Sequence, residues 1–275
     1  MVSRRVRFLA PLLAFLTLTT GSVACAGDSG SKETPTYELT VFAASSLSEV
    51  FPEQATALHA NDPSLKLVFS FAGSQQLRAQ MEQGAHADIF ASADEAQMQL
   101  AQKAGLIAGE PRVFVHNRLV VVLPKDNRAG IVGLADLARP GLRISMAGPN
   151  VPAGAYARAF LTLASAQPQF GADYGKRVLA SAPSEEPNVR QVLAKVAIGE
   201  ADAGFVYQSD VTADVANSLG IIAIPTDLSP LAGYLIAVTK EAAHPEQASK
   251  FIDFLLSAQG QRILTSHNFL AVGNG

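Results

Sequence analysis

The sequence predicts an α/β fold, with parallel strands alternating with covering helices. Three observations carry that prediction. Short apolar runs with strand character are separated repeatedly by stretches whose apolar residues recur at helical spacing. The punctuation agrees: Gly84 and Gly105 stop helices, and Pro124 ends a β-branched run. Two of the strand-to-helix turns, FAASSL at 42–47 and SFAGSQQL at 70–77, are built of small residues and serine. Such turns leave first-turn backbone N–H groups open to a ligand.

In chain order, a strand is predicted over Glu38–Ala43, then a helix over Leu47–His59 with Leu47, Val50, Phe51 and Leu58 on one side. A strand at Leu65–Phe71 and a helix at Leu77–Gln83 follow, then the short apolar strand Asp88–Ser92 and a helix at Glu95–Lys103. Arg118–Leu123 reads as a strand rich in β-branched residues. The second half continues the alternation, with strand Leu142–Met146, helix Ala153–Ala164, helix Asn188–Ile198, then strands Gly204–Tyr207, Gly220–Ile224 and Leu235–Thr239. Helices at Pro245–Leu256 and Gly260–Ser266 end the chain. Alternation of this kind implies parallel sheets with helical cover. Pro-containing loops near 124–133 and 225–230 are the places for a crossing between lobes.

The 275 residues suffice for one large or two medium domains, and the 48% apolar content supports a substantial core. The first 24 residues read as an export signal. Arg4, Arg5 and Arg7 precede an uncharged stretch, and small residues precede Cys25. Cys25 is the only cysteine, so an intramolecular disulfide is impossible. Its position after a small-residue cleavage site resembles the lipobox of bacterial lipoproteins, although Ser22 stands where leucine is usual. We therefore expect lipidation at Cys25, anchoring the chain to a membrane, with residues 25–36 as a polar tether. Removal of residues 1–24 lowers the basic count from 21 to 18 against 24 acidic residues, about −6 in net charge. That balance argues against a nucleic-acid partner.

Candidate chemistry centres on turns. Ser46 and Ser74 each open a helix after a strand, where a serine either caps the helix or faces a ligand. Strands of one parallel sheet end at one edge, so the two turns converge there. Ala153 follows Pro152 at a helix start, where its N–H is uncovered. Val189 follows Pro187-Asn188 at another. Tyr207 closes an apolar strand with a phenol able to donate. Catalytic readings find little support. The five histidines are scattered, and there is no HExxH, GxSxG or P-loop. His86-Ala87-Asp88 suits a turn entering a strand better than a catalytic pair. Glu185 and Glu186 would repel an anion and are expected to point away from it.

Taken together, FAASSL, SFAGSQQL, GAHADIFASAD (84–94), VPAGAYA (151–157) and the run 188–210 resemble the molybdate-binding proteins of bacterial ABC importers, over residues 38–274. The resemblance implies a periplasmic-binding-protein type II fold: two α/β lobes with a ligand cleft between them. Lobe one would comprise 37–117 plus 226–275, and lobe two 118–225. It implies a non-enzymatic monomer without a cofactor, whose ligand is molybdate or tungstate and whose partner is an ABC permease. The ligand-binding positions it implies are Ser46, Ser74, Ala153, Val189 and Tyr207, with molybdenum held only as the oxyanion. Two residues depart from the pattern: Gly73, where serine is also common, and Pro187, where an acid is frequent. The alternatives are a receptor for sulfate or another tetrahedral oxyanion, a secreted serine hydrolase, or an anchored structural protein without a ligand.

Overall fold

The computed structural model describes residues 36–273. The export signal, Cys25 and the tether as far as residue 35 lie outside the described residues, as do 274 and 275. Strand β1 (Tyr37–Ala44) runs into a 3-10 turn at Ser45–Leu47 and helix α1 (Val50–Asn61). Next come β2 (Leu65–Ala72), α2 (Ser74–Glu82), β3 (Ile89–Ser92), α3 (Glu95–Lys103), β4 (Arg112–Asn117) and β5 (Leu119–Pro124). After a 3-10 turn at Leu134–Ala138 follow β6 (Ile144–Ala147), α4 (Pro152–Ser165), α5 (Tyr174–Ala180), β7 (Glu185–Glu186) and α6 (Val189–Ala197). The remainder is β8 (Ala203–Tyr207), α7 (Ala213–Ala216), β9 (Leu219–Ala223), β10 (Ala232–Val238), α8 (Pro245–Leu256) and α9 (Ala258–Ser266).

These strands form two five-stranded sheets, ordered β2-β1-β3-β10-β4 and β7-β6-β8-β5-β9. Each sheet is the core of one α/β lobe. The chain passes from the first to the second between Asn117 and Leu119, and returns between Ala223 and Ala232. In the first lobe Phe51 of α1 meets Phe69, Phe114 and Phe251 at ring-centroid separations of 5.8, 5.9 and 5.6 Å. In the second, Phe160 of α4 meets Phe205 at 5.8 Å and Tyr174 at 6.3 Å. Aromatic pairs at these distances add to their area burial. Among the described residues no helix is long and apolar enough to cross a membrane.

The sheets are mixed, which corrects the expectation of parallel sheets. β1 is parallel to β2 and β3, and β6 to β7 and β8. β10 is antiparallel to both its neighbours, and so is β5. Both antiparallel strands are those the chain enters on arriving from the other sheet. They lack the crossover helix that makes a sequential neighbour parallel.

The parallel registers align the strand ends. Ala44 lies opposite Ala72, and Ala43 opposite Ala91, so the turns after β1, β2 and β3 leave one edge of the first sheet. Ala147 lies opposite Glu186 and Ser145 opposite Gly204, so β6, β7 and β8 also point their C-terminal ends one way.

Candidate functional site

The two sets of turns meet. One small cavity is lined by residues 44–46, 72–74 and 93 of the first lobe and by 151–153, 188–189 and Tyr207 of the second. Ser46, Ser74, Ala153, Val189 and Tyr207 all line it, and all are at least nine-tenths buried. Among the described residues no lysine, arginine, aspartate or glutamate lines it.

The serines do not cap helices. Ser74 is the first residue of α2, with Gly73 at the cap position, and its Oγ accepts the Ala93 N–H at 3.1 Å. A hydroxyl that already accepts has its own proton left to give. Ser46 sits within the 3-10 turn, its Oγ 2.8 Å from the Tyr234 hydroxyl. Tyr207 ends β8, and its hydroxyl is buried without a hydrogen-bond partner among the described residues. Burial chiefly, with Tyr234, Tyr156, Asp94 and Asp210 around it, pushes the phenol well above its ordinary pKa. It therefore stays an O–H donor, and an unpartnered one costs free energy unless something accepts from it.

Backbone donors complete the lining. α4 has no side-chain cap, so helix geometry leaves the Ala153 N–H without an intrahelical partner. In α6 the Asn188 side chain takes the Gln191 N–H at 3.1 Å, leaving that of Val189. The start of α4 lies hard against β6. A Cβ on Gly154 would come 2.0 Å from the Gly148 carbonyl oxygen, so only glycine permits that approach.

Contacts around the rim tie the lobes together. Gln75 Nε2 donates to the Pro187 carbonyl at 2.8 Å, and Gln97 Nε2 to that of Asn150 at 3.1 Å. Arg190 pairs with Glu49 at 2.5 Å across the lobes and lies 3.9 Å from Asp210. The two departures noted in the sequence face each other: a Cβ on Gly73 would stand 2.5 Å from the Pro187 carbonyl oxygen.

Other polar candidates have structural work. Asp88 accepts the Thr40 and Ala243 N–H groups at 2.7 Å each, and Asp94 caps α3 through Gln97. Neither Glu185 nor Glu186 lines the cavity; they pair with Arg158 and Lys195 at 2.7 and 2.5 Å. Among the described residues no three His, Cys, Asp or Glu side chains gather as a metal site. Sequence reasoning missed Tyr234, Asn117 and Ser209 behind the cavity. The apolar run at 235–239 concealed Tyr234, which lies at the start of that strand.

Comparison with known proteins gives this geometry relatives. A family profile described as bacterial extracellular solute-binding protein matches residues 39–270. The molybdate-binding protein ModA of Mycobacterium tuberculosis is 38% identical over 257 residues, covering 92% of this chain and 94% of the relative. Among solved structures, the periplasmic molybdate-binding protein of Azotobacter vinelandii superposes with a TM-score of 0.72 at 21% identity, over 84% of this chain and 98% of that one. The sulfate-binding protein SubI of M. tuberculosis gives 0.78 at 17% identity, over 86% of this chain and 88% of that one. The last two are likenesses of fold.

Proposed function

The chain belongs to the bacterial extracellular solute-binding protein family, and from that premise we propose that it captures molybdate, and tungstate with it, for an ABC permease. The ligand is held by hydrogen bonds between the two lobes, from the hydroxyls of Ser46, Ser74 and Tyr207 and the N–H groups of Ala153 and Val189. The buried, unpartnered Tyr207 hydroxyl in a cavity without charged side chains carries the reading. A dianionic oxyanion offers acceptors only, which suits it to a lining of donors. A protonated phosphate brings an O–H that meets no acceptor, and is penalised. Molybdate is larger than sulfate, so cavity size separates those two. Molybdate and tungstate are nearly equal in size, so discrimination between them is poor.

Donors from both lobes are needed, so the ligand favours the closed arrangement by its greater affinity for it. The permease then reads closure. Export and a lipid anchor at Cys25 place the protein outside the cytoplasm, beside that permease. Mass spectrometry of the mature N-terminus tests the anchor: a diacylglyceryl Cys25 is expected, and an unmodified one refutes it.

A thermal-shift panel of molybdate, tungstate, sulfate and phosphate tests the ligand. At a hundredfold excess over Kd the first two should raise Tm by about 5–11 °C. A donor-only cavity also suits sulfate, and the fold likeness to a sulfate-binding protein gives that reading its place. A rise with sulfate alone would establish it, and no rise with any oxyanion would refute both.

A further inference from the structure

Behind Ser46 lies a buried hydrogen-bond chain whose polarity can be worked out. It starts at Asn117, the last residue of β4, where the chain leaves the first sheet. Asn117 Oδ1 accepts the Arg118 N–H at 2.9 Å, which fixes the orientation of the amide. The amide nitrogen therefore donates, to Ser209 Oγ at 2.8 Å and to the Tyr234 hydroxyl at 3.4 Å. Ser209 belongs to the segment after β8 in the second lobe, so the chain spans the junction. Tyr234 is fully buried and has one proton. Its oxygen receives from Asn117, so that proton is directed at its other partner, Ser46 Oγ, 2.8 Å away.

We propose that Asn117 and Tyr234 act as a polarity relay that makes Ser46 an obligate donor toward the cavity, so that Tyr234 is a specificity-determining positioning residue. Ser46 accepts from Tyr234, and its own proton turns to the cavity it lines. Ser74 is set the same way by the Ala93 N–H, a backbone donor that cannot reverse. Tyr234 contributes a hydroxyl, which could reverse if it were not held by Asn117. The relay thus disfavours the arrangement in which Ser46 accepts an O–H from a protonated oxyanion, because the Ser46 proton would then be left without an acceptor. The selection acts on ligand protonation, independently of ligand size.

This inference rests on the oxyanion reading above, and its test separates the two. Calorimetry of the unaltered protein with molybdate comes first. Absence of binding refutes molybdate as ligand, and sulfate, also an acceptor-only dianion, then takes its place in the comparison. Tyr234→Phe removes the donor to Ser46 while leaving the ring. Affinity for the dianion should fall about tenfold, and its preference over phosphate at pH 6 should narrow at least fivefold, because Ser46 can now accept. In a Ser46→Ala background, Tyr234→Phe should change dianion affinity less than twofold. Equal losses for both anions, no loss, or full additivity with Ser46→Ala would overturn the relay. Should Tyr234→Phe not fold, Asn117→Ala reads the same ratio. Freed from Asn117, the Tyr234 hydroxyl can reverse, so the preference should again narrow; an unchanged ratio overturns the proposal.

Discussion

At Ser46 and Ser74 the hydroxyl oxygen is engaged by the protein, and the hydrogen is what each side chain has left to offer. This distinguishes a cavity-lining serine from a capping one, and the sequence could not make the distinction. In one dimension both residues sit at a strand-to-helix turn. Their partners, Tyr234 and Ala93, lie 188 and 19 residues away. Five of the cavity-lining residues could be singled out in the sequence: Ser46 and Ser74 because the turns at the end of parallel strands share an edge, and all five through the family resemblance. The residues behind them were not, because their roles depend on pairing across distant strands. Losing one donor to a charged ligand costs about 1.5–3 kcal/mol, roughly ten- to a hundredfold in Kd. Ser46→Ala and Ser74→Ala should each weaken molybdate binding by that factor in calorimetry. An unchanged Kd for either removes that serine from the site. Ser74→Ala also leaves the Ala93 N–H without its acceptor, so a lower Tm should accompany its loss of binding, by about 1–3 kcal/mol of stability.

At the scale of elements, long periodic segments announced themselves and short or polar ones did not. The core strands β1, β3 and β8 are nearly continuous apolar runs. β4 escaped notice because Arg112, His116 and Asn117 interrupt its apolar residues at the edge of the sheet. α5 is seven residues and β7 two, too short for a period to show. Neither the mixed strand directions nor the approach of Gly73 to Pro187 has a local signature, since both arise from how the two lobes meet. That approach makes α2 and the segment before α6 a sensitive pair. A Cβ on Gly73 would also come 2.6 Å from both terminal atoms of the Gln75 amide, the group that donates to Pro187. Gly73→Ala should therefore oppose closure, by about 1–3 kcal/mol. Calorimetry should show molybdate binding weakened roughly five- to a hundred-and-fiftyfold, with the Tm of the ligand-free protein nearly unchanged. Unaltered affinity would mean that the lobes adjust around the methyl group at no cost.

For the whole molecule, the site must hold a dianion in a chain of net negative charge, and the charge that matters most is the buried one. Asp210 is fully buried, its Oδ2 accepting the Tyr207 N–H at 3.0 Å while Oδ1 has no hydrogen-bond partner among the described residues. Burial pushes its carboxyl up to about 7, against the opposing pull of Arg190, whose guanidinium is shared with Glu49. In the unfolded chain the same group titrates near 3.8. Between those values the native state binds the extra proton. The contribution to stability is therefore complete below 3.8 and is lost as pH rises through about 7. Asp210→Asn keeps an acceptor for Tyr207 and removes the charge. It should melt several degrees above the unaltered protein at pH 8, with the advantage shrinking as pH falls below about 7 and gone only near 3.8. The same carboxylate opposes a dianion bound beside Tyr207. Binding must then raise its pKa further and take up a proton. Molybdate affinity should rise as pH falls from 8 to 6, and the slope should disappear in Asp210→Asn. Calorimetry in buffers of different ionisation enthalpy reads the proton directly. Uptake that persists in the Asn variant would place the titrating group elsewhere, and uptake absent from both would show that Asp210 is electrostatically remote from the bound anion.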